Sequence, residues 1–95
     1  MNQRIIRDTP YASLFAQHKV GEARVERLWV KDATQWEIRF SWWKNLGDGE
    51  KMMERPLDVP EDVLLELFRG GLCEGVFADD FTRELKDLLE KHLSQ

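Results

Sequence analysis

The sequence predicts a single α+β domain over residues 1–95, with a two-layer, three-stranded antiparallel β-meander, a short N-terminal helix and two C-terminal helices packed on the sheet. Three observations support this fold class. The segment "TQWEIRFSWW" alternates apolar and polar residues, as a half-buried strand does. Residues 60–95 instead repeat their apolar residues at helical spacing. A chain of 95 residues is long enough for one modest core.

The first predicted element is the short N-terminal helix. Thr9 is a suitable capping residue, Pro10 suits the first helical position, and Gly21 is a typical stop. The residues that fall on one helical face are Tyr11, Leu14, Phe15 and His18. Because so short a helix is marginal alone, we expect it to be docked on the sheet.

The next two predicted strands form a hairpin around Asp32-Ala33, from "EARVERLWV" and "TQWEIRFSWW". Their register pairs three sets of residues on one side of the sheet, here called the tryptophan face: Trp29 with Trp36, Val25 with Phe40, and Ala23 with Trp42. Glu26 then lies opposite Arg39 on the other side, here called the second face. Arg27 is the exception, since it falls among the apolar residues of the tryptophan face.

The third predicted strand runs through "EKMMERPL" after a turn in "NLGDG". The turn is centred at either Gly47-Asp48 or Asp48-Gly49, and both choices give the same parity. Met53 and Leu57 then lie on the tryptophan face and Met52 on the second face. Pro56 favours an edge strand, because it cannot donate a ladder hydrogen bond.

Two helices complete the predicted fold. The first begins near Pro60 and ends at Gly70, with an apolar stripe of Val63, Leu64, Leu67 and Phe68. The second lies in "ADDFTRELKDLLEKHLSQ" and presents Phe81, Leu85, Leu88, Leu89 and His92 along one face. We expect both helices to cover the tryptophan face.

The charge distribution limits the function classes. Residues 1–55 hold ten Lys/Arg and eight Asp/Glu, and residues 56–95 hold four and ten, giving the net charge of −4. Nucleic-acid-binding proteins usually carry a basic excess, so this balance disfavours them. No apolar run approaches the roughly 20 residues that span a bilayer. One cysteine and no recognisable leader sequence favour a cytoplasmic protein.

No catalytic or metal-binding constellation is evident. His18, Cys73 and His92 are isolated from one another, and we expect Cys73 to be a small buried apolar residue. The acidic pairs Glu61-Asp62 and Asp79-Asp80 begin predicted helices, where carboxylates favour the positive end of the dipole. We therefore predict a protein that is not an enzyme and takes no cofactor or metal.

The second face of the sheet is the candidate interface, because it is too apolar for free solvent and too polar for a complete core. Its candidate interface residues are Leu28, Val30, Arg39, Trp43 and Met52. Two covers remain open at this point. Either the N-terminal helix lies across Leu28 and Val30, or a partner protein or second copy binds with Trp43 as its anchor.

These observations favour a small protein-interaction or regulatory module of microbial or viral type, which binds another protein or forms a homodimer. The alternative is a single-stranded nucleic-acid-binding domain that uses the sheet aromatics and basic residues. The segment "WEIRFSWWKNLGDGEKMMERPLDVPEDVLLELF" resembles, in its layout of strands followed by a helix, the small coactivator-like domains that bind single strands with a curved sheet. That resemblance implies the alternative function and assigns no site residues.

Overall fold

The computed structural model describes residues 4–95 as one antiparallel sheet of five strands followed by two helices. The elements are β1 (Arg7–Asp8), β2 (Ala12–Val20), β3 (Ala23–Val30), β4 (Gln35–Asn45), β5 (Glu50–Met53), α1 (Glu61–Cys73) and α2 (Asp79–Leu93). Each strand pairs with the next along the chain. The predicted α+β class and antiparallel meander are therefore confirmed, whereas the count of three strands is wrong.

The predicted N-terminal helix is wrong, because its residues form β2. Leu14 pairs with Leu28 but Ala16 pairs with Arg27, so Phe15 is an extra residue in a β-bulge. Ala12 and Leu14 before the bulge lie on the second face, whereas Ala16, His18 and Val20 beyond it lie on the tryptophan face. The helix-like spacing of Tyr11, Leu14, Phe15 and His18 therefore combines a residue before β2 with residues from both faces of the sheet.

Thr9 closes a turn instead of capping a helix. Its Oγ1 accepts a hydrogen bond from the Ala12 amide at 3.1 Å, and its own amide donates to the Ala12 carbonyl at 3.0 Å. Gly21 likewise begins the two-residue turn between β2 and β3, where its φ of 59° suits glycine. Both residues that indicated helix ends therefore belong to hairpins.

The register predicted for the central hairpin is confirmed. Trp29 pairs with Trp36, Val25 with Phe40, Ala23 with Trp42, and Glu26 with Arg39. On the far side of β4, Trp42 pairs with Met53 and Trp43 with Met52, which confirms the predicted faces of both methionines. Regular alternation without a bulge is what made these strands predictable.

Helix α1 covers one end of the tryptophan face. Its Leu67 is fully buried against Val25 and Val76, and the partly buried residues around this cluster include Ala16, Val20, Trp42, Leu57, Val59, Val63 and Phe68. Leu57 therefore lies on the tryptophan face, as predicted. Its segment crosses from β5 to α1, and the indole N–H of Trp42 donates to the Pro56 carbonyl at 3.0 Å.

Gly70 is not the end of α1, and this prediction is wrong. The helix continues through Gly70 and Gly71 to Cys73, which is exposed rather than buried as expected. A Cβ built on Gly70 would overlap the imidazole ring of His18 on β2, and one on Gly71 would lie 2.7 Å from the ring of Phe77. The two glycines thus allow α1 to approach the sheet closely.

Helix α2 does not pack on the sheet, in contrast to our expectation. None of its residues is buried, and no strand in the described part of the chain comes within 8 Å of α2, measured between Cα atoms. The first turn of α2 contacts the rest of the chain through Phe77, whose ring stacks on Phe81 at a centroid distance of 5.6 Å. The described chain is correspondingly elongated, at 50 × 31 × 23 Å.

We predict that Gly70→Ala will lower the free energy of unfolding by about 1–2 kcal/mol, because overpacking against His18 outweighs the gain of about 1 kcal/mol in helix propensity. Urea denaturation of Gly70→Ala, His18→Ala and the double variant tests this contact. In the His18→Ala background the clash is gone, so Gly70→Ala should be neutral or stabilising. Equal destabilisation in both backgrounds would show that the contact is not the cause.

Candidate protein-interaction surface

The centre of the second face is a buried carboxylate held by two arginines. Glu26 on β3 is fully buried, and its Oε2 lies 3.0 Å from the Arg7 guanidinium of β1. Its Oε1 accepts from Arg39 on β4, at 3.0 Å from Nε, and from the Ser41 hydroxyl at 3.3 Å. A buried carboxylate is costly unless it is paired in this way. The cluster therefore ties β1, β3 and β4 together.

The indole of Trp43 lies between two guanidinium groups at the edge of this cluster. The guanidinium carbons of Arg24 and Arg7 lie 4.0 and 4.8 Å from its ring centroid, within cation–π range. Its N–H donates to the Ser41 hydroxyl at 2.8 Å. Arg24 is itself buried and forms an ion pair with Glu50 of β5. Trp43 is therefore half-buried by its own chain.

The other predicted interface residues occupy different positions on the second face. Leu28 and Val30 are buried with Ala12 and Leu14 at one end of the face, whereas Met52 is half-buried beside Trp43 at the other end. Arg39 lies between them and forms an ion pair with Glu26. No helix lies over this face within residues 4–95, so the curl of the sheet and its own side chains supply the burial.

Two carboxylates at the edges of the sheet are held in their charged form. The hydrogen bond from Arg24 lowers the pKa of Glu50, and the nearby charge of Lys19 acts in the same direction. Hydrogen bonds from Ser13 and Lys31 lower the pKa of Asp8. Both carboxylates form ion pairs that reach across an intervening strand, from Glu50 of β5 to Arg24 of β3 and from Asp8 of β1 to Lys31 just after β3.

The tryptophan face, in contrast, remains partly open. Trp36, Ile38 and Phe40 of β4, here called the apolar strip, are 38%, 37% and 37% exposed. Arg27 lies beside this strip, with its guanidinium carbon 4.4 Å from the Trp36 ring centroid and its Nη1 3.3 Å from the Val76 carbonyl oxygen. Burial lowers the pKa of Arg27. These contacts explain the arginine that falls among apolar residues.

A second apolar surface lies on α2. The α2 stripe consists of the face predicted from the sequence, Phe81, Leu85, Leu88, Leu89 and His92. Phe81, Leu88 and Leu89 are 45%, 63% and 50% exposed. Ring contacts from Phe40 through Phe68 and Phe77 to Phe81 connect the apolar strip with the first turn of α2.

Sequence reasoning found the α2 stripe but missed the apolar strip as a candidate surface. It assumed that α2 would cover the sheet of its own chain. The available signal was the composition of α2, in which eight of fifteen residues are charged and the apolar face is narrow. A helix of this composition has one apolar side and can pack against one surface. The surface that we expected it to cover, the tryptophan face, is already occupied at one end by α1.

Comparison of the chain with protein-family models, curated proteins and solved structures found no match. Among residues 4–95, no three His, Cys, Asp or Glu side chains are grouped so that they could hold a metal ion. In the same part of the chain, no helix is long and apolar enough to span a membrane. The candidate functional surfaces in this part of the chain are the two faces of the sheet and α2.

We predict that Glu26→Gln will lower the free energy of unfolding by about 3–5 kcal/mol, because it leaves two guanidinium groups without their buried counter-ion. Urea denaturation measures the loss. The matched control is Glu66→Gln, which removes an exposed ion pair with Arg69 on α1 and should change stability by less than about 1 kcal/mol. Equal effects of the two substitutions would contradict the structural role of Glu26.

We also predict a loss of stability in acid that depends on Glu50. A carboxyl group whose pKa is lowered by folding stabilises the protein above its unfolded pKa, and this contribution disappears as pH falls through the folded pKa. The free energy of unfolding should therefore fall below about pH 4.5 and level off in stronger acid. Glu50→Gln should reduce the slope in urea denaturation across this range. An unchanged slope would contradict the assignment.

Proposed function

We propose that this chain is a small non-enzymatic protein-interaction module that binds through the α2 stripe and the apolar strip. The main support for the proposal is the exposed apolar face of α2. This helix has fifteen residues, and none of them is buried in its own chain. Exposed apolar patches of this kind are typical of binding surfaces in water-soluble proteins.

The energetics of α2 support a partner. An isolated helix of about 12–15 residues is marginal in water, and most helical stability comes from packing an amphipathic face. Within its own chain, α2 has the Phe77 ring against Phe81 at its first turn, while Leu88 and Leu89 remain at least half exposed. A partner that covers the α2 stripe would both stabilise the helix and remove these leucines from water.

The second face is a weaker candidate surface than the tryptophan face. Trp43 and Met52 are half-buried at one edge, and Leu28 and Val30 are already inside the curl of the sheet. Because Leu28 and Val30 are buried against Ala12 and Leu14, a partner could contact them only by opening the sheet's own packing. Trp43 and Met52 can therefore contribute to the rim of an interface, but the main apolar contact belongs to the other face and α2.

The charged groups favour a protein partner over single-stranded nucleic acid. Among the basic residues of the sheet, Arg24 and Arg39 form ion pairs with carboxylates, and Arg27 lies within hydrogen-bond distance of the Val76 carbonyl. Helix α2 carries five acidic and three basic residues, and its net charge of −2 would repel a phosphate backbone. These are the reasons for preferring the protein-binding hypothesis.

The proposal predicts a covalent adduct from α2 in the cells that naturally make this protein. The photo-reactive residue p-benzoylphenylalanine would replace Leu88 in the α2 stripe or, as the matched control, Arg83 on the polar side of the same helix. Irradiation followed by denaturing gels and mass spectrometry should give a discrete protein adduct at position 88 and little at position 83. The absence of an adduct at position 88, or equal adducts at both positions, would overturn the proposal.

A further inference from the structure

We infer that the partner is a second copy of this chain, with the α2 stripe of each protomer lying on the apolar strip of the other. This inference rests on the proposed function and identifies the protein that binds the proposed surface as a second copy of the chain. One chain contains both an uncovered apolar strand surface and an uncovered amphipathic helix. A reciprocal exchange covers both surfaces in both copies, which is the usual logic of a two-fold dimer.

The dimensions of the two surfaces agree. At about 1.5 Å per residue, the α2 stripe from Phe81 to His92 extends over roughly 16 Å. At about 3.4 Å per residue, the apolar strip from Trp36 to Phe40 extends over roughly 14 Å. The helix stripe and the strip are therefore long enough to cover one another in a single contact.

The charges are also complementary. The sheet-containing residues 1–55 carry ten basic and eight acidic residues, whereas residues 56–95 carry four basic and ten acidic residues. Arg27 borders the apolar strip, and α2 has a net charge of −2. Placing α2 of one copy on the sheet of another brings opposite net charges together, which favours correct orientation and association.

The available area is sufficient for a stable dimer. The exposed parts of the apolar strip and of Phe81, Leu88 and Leu89 in the α2 stripe amount to roughly 540 Å² per protomer, taking about 200 Å² for a whole side chain of this kind. Two protomers would therefore remove roughly 1,100 Å² from water, which reaches the 1,000 Å² or so expected of a specific interface. A contact between two α2 helices alone would leave the strip uncovered.

Complementation between two variants tests this arrangement. Ile38→Glu disrupts the strip and Leu88→Glu disrupts the stripe. In Ile38→Glu the new carboxylate faces Arg27 across the β3–β4 pair, which supports folding. Each homodimer then has a carboxylate in both contacts, and we expect its Kd to rise by at least about 100-fold. The mixture contains one pairing in which an intact helix meets an intact strip.

We expect wild-type chain to sediment as a dimer and each variant as a monomer. An equimolar mixture should associate at lower concentration than either variant alone, because one of its two contacts is intact. Lys86→Glu, on the polar side of α2, is the control and should remain a dimer. Circular dichroism checks that each variant is folded. If Ile38→Glu does not fold, Ile38→Gln, which places no charge opposite Arg27, replaces it in the same mixing experiment.

Three results would overturn the inference. One is a monomeric wild-type chain at every concentration, which needs no variant. Another is a folded Ile38→Glu variant that remains a dimer, as a contact between two α2 helices would give. The third is a mixture of folded variants that associates no more strongly than either variant alone. A monomer whose Leu88 position still forms an adduct with a different protein would leave the proposed function standing, whereas a monomer with no adduct would remove both.

Discussion

The buried carboxylate of Glu26 holds the curled sheet together and so determines which surfaces the protein exposes. A charge inside a sheet must be neutralised and hydrogen-bonded, and here its partners come from β1 and β4, on either side of β3. Arg7 can reach Glu26 because the bulge at Phe15 and the twist of the strands carry β1 around the second face. The ion cluster and the curl of the sheet therefore support one another.

The curl decides which surfaces remain for binding. It encloses the second face without a covering helix, so the apolar residues Leu28 and Val30 are removed from water by the sheet itself. The tryptophan face is left to the helices, and α1 covers only the end near Val25. The apolar strip and the α2 stripe are what this arrangement leaves uncovered. The proposed interaction uses the surfaces that remain exposed after the second face is closed.

The parts that the sequence predicted are those in which periodicity is undisturbed. Strands β3 and β4 alternate without interruption, so their register and the division of Trp42 and Trp43 between two faces could be derived. In β2 the extra residue Phe15 interrupts the alternation, and the spacing of the apolar residues then resembles that of a helical face. Because neither β1 nor β2 was predicted as a strand, the contacts of Arg7 with Glu26 and Trp43 could not be predicted. The open apolar strip was not foreseen for a related reason, since an amphipathic helix specifies an apolar neighbour but not which chain supplies it.

Hydrogen exchange of the α2 amides over a range of protein concentrations tests whether α2 packs on another copy of the chain. We expect fast exchange in α2 at high dilution, because a solitary helix of this length frays, and increasing protection as the dimer forms. Amides of β3 and β4 that pair across the central hairpin should stay protected throughout. Protection of α2 that is strong at high dilution and independent of concentration would rule out the inferred dimer.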